Sequence, residues 1–173
     1  EDRIVALIKE GLNLRSELKK RSSCGCCGGG CVDALAWSAN TKEEMLKKAA
    51  TVSPLSYSQN EDIRSLKSLL LYGLKGVAAY TEHASVLGAY NDEIFTFMFK
   101  ALAAMTRDLS AEEATGLVLE TGAAAVKAMA LLDGANTSAY GNPEITKVNI
   151  GVRKNPGILI SGHDPMNMEE LLK

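Results

Sequence analysis

The amino-acid sequence predicts a mainly α-helical fold, an antiparallel up-down bundle of about three long helices plus shorter ones, followed by a short β-strand/turn/helix unit. Apolar residues recur at three- and four-residue steps over long stretches that begin with capping signals. After Thr146 the pattern changes to the alternation typical of strands. We therefore expect a helical bundle over residues 1–134 and the beginning of an α/β domain over residues 135–173.

The N-terminal part of the chain is predicted to begin with one amphipathic helix, Asp2–Lys20. The Ser- and Gly-rich segment 21–31 follows, and it is expected to be a flexible loop because glycine disfavours regular structure. Residues 32–40 are ambiguous in pattern. Within them Trp37 is the expected anchor against the helices.

Capping signals predict where the remaining helices begin. Thr-x-x-Glu at Thr41 and Ser-x-x-Glu at Ser110 are capping boxes, and Asn60 and Asn91 are suitable N-cap residues. Gly88 is a suitable stop, and Asp133-Gly134 is expected to end the last long helix. The expected helices cover residues 41–50, 61–87, 92–107 and 111–132.

The C-terminal part is predicted to contain two short strands and a helix. Thr146–Gly151 alternates apolar and polar residues, and Gly157–Ile160 is a short apolar run between Pro and Gly. Pro165 suits the first turn of a following helix. Because one such unit cannot form a stable sheet, the domain is expected to be truncated or to be completed by another chain.

Composition excludes several classes of protein. The net charge of −2 gives no reason to expect general nucleic-acid binding. There is no unbroken run of 18 apolar residues, so no membrane span is expected, and no signal peptide is visible. All four cysteines lie within residues 24–31, so they cannot form disulfide bonds that join distant segments. This favours a reducing, cytoplasmic location.

The four cysteines, Cys24, Cys26, Cys27 and Cys31, leave two interpretations open. Thiolates bind soft metal ions and iron–sulfur clusters, and the intervening glycines would let the loop fold around an ion. The spacing C-x-C-C-x3-C, however, is not a standard zinc or ferredoxin pattern. The segment is therefore either a metal-binding loop or a Cys-rich surface loop.

The two histidines are the other candidates for chemistry. His163 follows the apolar run Ile158–Ile160, and Gly162 lets the backbone turn, so its imidazole is suited to be a metal ligand or a proton donor. A structural role for it is equally open. His83 lies on a predicted helix, where a surface or hydrogen-bonded position is the simpler interpretation. No dinucleotide-binding, P-loop, zinc-protease or nucleophile-elbow motif is present.

Longer stretches of the chain resemble a known family. From about residue 60 onward the sequence is similar to hybrid cluster proteins, also called prismane proteins or hydroxylamine reductases, and Asp2–Lys19 resembles the family's preceding helix. A more distant similarity is to nickel–iron carbon monoxide dehydrogenases. The sequence motifs Asn-Ile-Gly and Ile-Ser-Gly-His-Asp, however, resemble those of hybrid cluster proteins more closely. The matching segments are Arg64–Tyr80, Glu82–Gly88, Met129–Asp133, Asn136–Thr137, Tyr140–Glu144, Val148–Gly151 and Gly157–Asp164.

The resemblance implies two N-terminal helical bundles followed by two Rossmann-like domains. It also implies an iron–sulfur cubane and a buried hybrid iron–sulfur–oxygen cluster, whose ligands are one His, two Glu and four Cys. His163 matches the family's histidine ligand. The implied activity is the reduction of hydroxylamine to ammonia, or of nitric oxide, with electrons from a donor protein.

This chain departs from the family pattern in ways that limit what it does alone. The family's N-terminal four-cysteine motif and first bundle are missing, Cys24–Cys31 do not match a cluster motif, and the other ligands would lie beyond Lys173. The chain is therefore expected to be the second helical bundle plus the start of a Rossmann-like domain. It would serve as a scaffold that is inactive alone, binds no cluster and needs the remainder of its parent polypeptide. The alternatives are a non-enzymatic helical module with a metal-binding Cys loop and a carbon monoxide dehydrogenase fragment.

Overall fold

The computed structural model of the protein describes residues 2–21, 33–162 and 165–173. The predicted mainly helical fold is confirmed across these ranges. The predicted Cys/Gly loop lies almost entirely outside them, so its conformation stays a prediction. The helices are α1 Asp2–Arg21, α2 Asp33–Ala36, α3 Lys42–Ala49, a 3-10 turn at Pro54–Ser56, α4 Glu61–Val86, α5 Asp92–Met105, α6 Ala111–Tyr140 and α7 Pro165–Leu172.

The N-terminal helices pack loosely. No residue of α1 is buried, although Asp2 forms an ion pair of 3.8 Å with Lys42 at the start of α3. Trp37 is half-buried and lies beside Lys47 and Lys48 of α3, as expected for an anchor. Because most helical stability in proteins comes from the packing of an amphipathic face, α1 depends on additional packing for its stability.

Both ends of α4 are fixed by the residues that the sequence indicated. The side-chain oxygen of Asn60 accepts hydrogen bonds from the backbone N–H of Asp62 at 2.9 Å and of Ile63 at 3.2 Å. At the other end Gly88 has φ +79°, its N–H donates to the carbonyl of Ser85, and the next N–H donates to that of Ala84. This is a Schellman motif, which requires a left-handed residue that glycine adopts without strain.

The start of α6 is confirmed, but its predicted end is wrong. Ser110 Oγ accepts from the N–H of Glu113 at 3.1 Å, and the Glu113 carboxylate accepts from the N–H of Ser110 at 2.9 Å. The helix continues through Asp133-Gly134 to Tyr140 and ends at Gly141, which has φ +86°. A glycine inside a helix costs only about 1 kcal/mol, which the continued hydrogen bonding offsets.

The three long helices form the core as an up-down-up bundle, confirming the predicted arrangement. Leu70 of α4 packs at the level of Ala114 of α6, and Val77 packs at the level of Ala124, so these two helices run in parallel. Along α5 the order is reversed, because its residues near the start join the Val77 cluster and those near its end join the Leu70 cluster. The two clusters are Leu70, Leu74, Ala101, Ala104, Leu109, Ala114 and Leu117, then Val77, Ile94, Ala124 and Ala128.

A buried lysine joins the bundle to its connecting turns. Lys67 is only 3% exposed, and its Nζ donates to the carbonyls of Arg107 at 2.7 Å and Tyr57 at 3.2 Å. The first carbonyl lies just past the end of α5 and the second at the end of the 3-10 turn. These hydrogen bonds compensate the cost of burying the ammonium group and fix both connections against α4.

Gly73 lies where the backbone of α4 comes close to a side chain of α6. A Cβ built on Gly73 would lie 2.7 Å from Cγ2 of Thr121. Thr121 is 5% exposed, and its Oγ1 donates a 2.7 Å hydrogen bond to the carbonyl of Leu117, so the side chain is held in one rotamer. The contact therefore requires glycine at position 73.

We expect Gly73→Ala to lower the free energy of unfolding by about 1–3 kcal/mol, the usual cost of overpacking. Gly76→Ala is the matched control: its Cβ would meet nothing within 4 Å, so it should raise the stability by up to about 1 kcal/mol. Urea unfolding measures both changes. Thr121→Ser removes the obstructing methyl group and should recover most of the loss in a double variant. Equal stabilities of the two alanine variants would contradict the close contact.

The capping box of α6 gives a pH-dependent contribution to stability. The pKa of Glu113 is lowered from its ordinary value of 4.5, first by the backbone hydrogen bond from Ser110 and then by the hydrogen bond from Arg107. A carboxylate with a lowered folded-state pKa stabilises the fold above its unfolded value and loses that effect as the pH falls through the folded value.

Glu113→Gln should therefore be less stable than the wild type near neutral pH, and the difference should shrink as the pH falls below about 4.5. Urea unfolding of both proteins between about pH 6 and pH 3 measures this difference directly. Glu112→Gln, in the same helical turn, controls for the loss of one negative charge near the helix N-terminus. A wild-type advantage over Glu113→Gln that is constant with pH would argue against the capping contribution.

The predicted strands are not present among the described residues, so that prediction is corrected. Residues 141–162 contain only turns, bends and irregular backbone. Ile145, Ile150 and Ile158 have exposures of 108%, 96% and 91%. An alternating segment forms a strand only when another strand pairs with its backbone, and none of the described residues does so. The helix predicted after Asp164 is confirmed as α7, with Pro165 in its first turn.

The helix α6 also meets the length and composition criteria for a membrane span, although the sequence contains no unbroken apolar run of that length. Its buried residues form the core of the bundle. On its exposed side Glu120 and Lys127 pair with residues of α5. Packing between α4 and α5 accounts for only part of the apolar composition of α6, because 22% of its apolar window is buried.

Candidate functional site

The residues predicted to carry chemistry lie outside the described part of the chain. His163 is one of two residues between the irregular segment and α7 that the structure does not describe, and Cys24, Cys26, Cys27 and Cys31 fall in the gap at 22–32. Their roles as metal ligands stay predictions. His83 is described, and it lies on an exposed part of α4 as expected.

The described residues contain no group of three or more His, Cys, Asp or Glu side chains that could hold a metal ion. A four- or six-coordinate metal site needs such a convergence of ligands. Any iron–sulfur cluster associated with this chain must therefore take most of its ligands from residues other than those described.

The segment that leads to position 163 exposes apolar side chains. Leu159 is 95% exposed and Ile160 is 43% exposed. Within residues 2–21, 33–162 and 165–173, Leu159 is almost uncovered and Ile160 is only partly covered. The neighbours of a metal ligand at position 163 would therefore come from additional polypeptide. A sheet that contains residues 157–160 would need additional polypeptide as well, to provide a partner strand.

Two ion pairs join the surfaces of α5 and α6. Lys127 contacts Glu93 at 2.5 Å and Lys100 contacts Glu120 at 2.6 Å, both between α5 and α6. The hydrogen bond from Lys127 lowers the pKa of Glu93, and its positive charge adds to the effect. The carboxylate of Glu93 is therefore ionised at neutral pH and is not suited to act as a general acid.

A groove of about 590 Å³ lies between the α4–α5 turn and the last turns of α6. Small and apolar residues line it, including Gly88, Leu131 and Ser138. It offers no carboxylate, imidazole, thiol or amine. The groove therefore supplies surface for packing rather than groups for catalysis.

The described residues thus form a helical bundle in which no group of metal-binding side chains converges. The sequence model of the Prismane/CO dehydrogenase family matches residues 1–173. The chain therefore belongs to the Prismane/CO dehydrogenase family, which confirms the family resemblance read from the sequence.

The chain is also similar to proteins named hydroxylamine reductase. It is 56% identical to the one from Chlorobaculum tepidum over 98% of this chain and 31% of that protein. It is 56% identical to one from Desulfitobacterium hafniense (99% of this chain, 32% of that protein) and 66% identical to one from Clostridium botulinum (82% and 25%). The chain thus spans about a third or less of the length of these relatives.

Sequence reasoning missed two residues that shape the scaffold. Lys67 was not distinguished from a surface lysine, because its partners are carbonyls of residues up to 40 positions away. For Gly73, no pattern in the sequence indicates that Thr121 would be its partner between α4 and α6. Only the three-dimensional arrangement brings these residues together.

Proposed function

We propose that this chain is the helical scaffold segment of an iron–sulfur enzyme that reduces hydroxylamine to ammonia. The observation that carries the proposal is the similarity, at 56% identity over 98% of the chain, to a protein named hydroxylamine reductase. A second relative supports it at the same identity over 99% of the chain. Membership of the Prismane/CO dehydrogenase family is consistent with iron–sulfur cofactors in the parent protein.

In this proposal the reactive groups are divided between this chain and the rest of the parent polypeptide. His163 contributes one imidazole ligand, and the parent supplies the remaining ligands of a hybrid iron–sulfur–oxygen cluster and those of a cubane cluster. Bound to the parent, the clusters supply the two electrons that convert hydroxylamine and two protons into ammonia and water. The described helices supply rigid support, since their core is apolar and carboxylates such as those of Glu93 and Glu113 are engaged in an ion pair and in a helix cap.

The remaining partners are proposed on the same basis. A donor protein supplies electrons, nitric oxide is a second candidate substrate, and the location is the cytoplasm. The family description also includes carbon monoxide dehydrogenases. The names of the relatives favour hydroxylamine as the substrate.

Metal content and activity, measured together, test the proposal. The 173-residue chain and its full-length parent are purified anaerobically, and iron, acid-labile sulfide and ammonia formation from hydroxylamine are determined. We expect iron, sulfide and activity in the parent and none of them in the chain alone. A parent that oxidises carbon monoxide but leaves hydroxylamine unchanged would refute the substrate. Stoichiometric iron and sulfide in the chain alone would assign a cluster to Cys24–Cys31.

A further inference from the structure

One side of the α4–α6 pair is left open by α5. Glu120 and Lys127 point toward α5, because they pair with Lys100 and Glu93. At 100° per residue, positions 118, 122 and 129 lie on the opposite side of α6. On α4, positions 69, 76 and 80 share the side of Gly73, which contacts α6. The open surface, called here the uncharged strip, comprises Leu69, Tyr72, Gly76 and Tyr80 of α4 with Val118, Gly122, Ala125 and Met129 of α6.

The uncharged strip has the composition of a surface that becomes buried. It contains no Asp, Glu, Lys or Arg, whereas the ion pairs of the long helices lie on the side of α5. Tyr72 is 66% exposed, Leu69 55% and Met129 46%. Aromatic residues and Met are enriched, and charged residues depleted, in the cores of protein interfaces. A continuous exposed apolar surface of this kind marks an interaction site.

The two glycines of the uncharged strip give it a shape suited to a helix. A Cβ on Gly76 or Gly122 would meet nothing within 4 Å, so the space above both backbones is open. The long side chains of Tyr72, Tyr80 and Met129 stand beside these low points. A helix laid along α4 and α6 can place its own side chains over the glycines, as ridges pack into grooves.

We propose that the uncharged strip docks a helix from the part of the parent polypeptide that lies outside these 173 residues. The chain spans 31% of the hydroxylamine reductase from Chlorobaculum tepidum, so about two thirds of such a parent is available to cover it. The proposal rests on the proposed function only in treating the chain as a segment of a longer protein. Docking of a second copy of this chain is the competing outcome of the test.

Radical footprinting of the unmodified proteins tests the docking. Hydroxyl radicals oxidise exposed Tyr, Met and Phe side chains, and mass spectrometry gives the rate at each residue. Phe99, 71% exposed on α5, is the reference. Relative to Phe99, oxidation of Tyr72 and Met129 should fall by about fivefold or more from the 173-residue chain to the full-length parent. Unchanged relative rates would overturn the proposal. If Tyr72 and Met129 are already oxidised slowly relative to Phe99 in the 173-residue chain, and that chain is a dimer in sedimentation equilibrium, the occupant is a second copy and the proposal is overturned.

A substitution with opposite expected effects in the two proteins provides a second test. Gly76→Leu should raise the Tm of the 173-residue chain, because leucine favours the helix and the site is open. In the full-length parent the same change should lower the Tm, because the new side chain occupies the docking site. Gly116→Leu is the matched control, because Gly116 lies on α6 away from the uncharged strip and a Cβ there would also meet nothing within 4 Å, so this change should not lower the Tm of the parent. A rise in both proteins would contradict docking.

The outcomes separate the docking from the proposed function. Neither footprinting nor Tm depends on iron or on activity. A parent that protects the uncharged strip but does not reduce hydroxylamine would refute the function and retain the docking. A parent that reduces hydroxylamine, but whose uncharged strip is oxidised as fast as in the 173-residue chain, would refute the docking and retain the function.

Discussion

Replacing Leu70 with Ala is expected to lower the free energy of unfolding of this chain by about 2–5 kcal/mol. Leu70 is 1% exposed and joins α4 to α5 and α6 in the larger core cluster. Truncating it removes apolar contacts and leaves a cavity that a bundle held by Gly73 and Lys67 cannot readily close. Urea unfolding followed by far-ultraviolet circular dichroism gives the change, provided that the slope m is the same for both proteins.

Leu69→Ala is the matched control for this experiment. The residue is adjacent and chemically identical, but it is 55% exposed on the uncharged strip. Its replacement should change the stability of the 173-residue chain by less than about 0.5 kcal/mol. Leu74, 3% exposed one turn further on, should behave like Leu70. A loss below about 0.5 kcal/mol at Leu70 would show that the core does not depend on this face of α4.

The helix starts were predictable because their causes are local. A capping box joins residues three positions apart, as Ser110 and Glu113 do, so the signal lies within one short stretch of sequence. The same holds for Asn60 at the start of α4. The predicted end of α6 was wrong because Asp133-Gly134 is only a weak signal for the end of a helix. Continued hydrogen bonding to Tyr140 overrides the preference of one glycine.

The strands and the close contacts were not predictable because neither depends on local sequence alone. A strand needs a partner strand, which the described residues do not contain, and a close contact joins residues that are far apart in sequence. Alternation over Thr146–Gly151 indicates which side chains would share a face, but a strand forms only beside a partner strand. The contact of Gly73 with Thr121 joins positions 48 apart. A single sequence does not indicate which of many positions will meet in this way. The helical bundle was therefore predictable in outline, and its register was not.

The role of His163 as a metal ligand could be predicted only from the resemblance to a known family. No described residue shows a metal-binding arrangement, and the features of His163 alone left a structural role equally open. The resemblance supplied the assignment as a ligand, and family membership is now established. The remaining step, from membership to a role for His163, requires the whole protein, because the other proposed ligands come from its remaining segments.

In the full-length parent, replacing His163 with Ala is expected to abolish hydroxylamine reduction, at least about a thousandfold in kcat, and to lower the iron content. Neutral imidazole is a strong iron ligand, and loss of a first ligand removes both affinity and the defined geometry of the metal. His83→Ala is the matched control. The chain has only two histidines, and His83 lies exposed on α4. This control should retain iron and activity.

Three readouts of the His163 variant separate a ligand from a structural residue. A ligand should change the iron content and the electron paramagnetic resonance spectrum of the parent, while leaving the Tm of the 173-residue chain unchanged. A residue that only supports the fold would lower that Tm and leave the spectrum intact. The chain alone contains α7 and the segment before it but none of the proposed partner ligands, so its Tm reports the structural contribution by itself. Full iron and activity in His163→Ala would remove His163 from the metal site while leaving the scaffold role of the bundle in place.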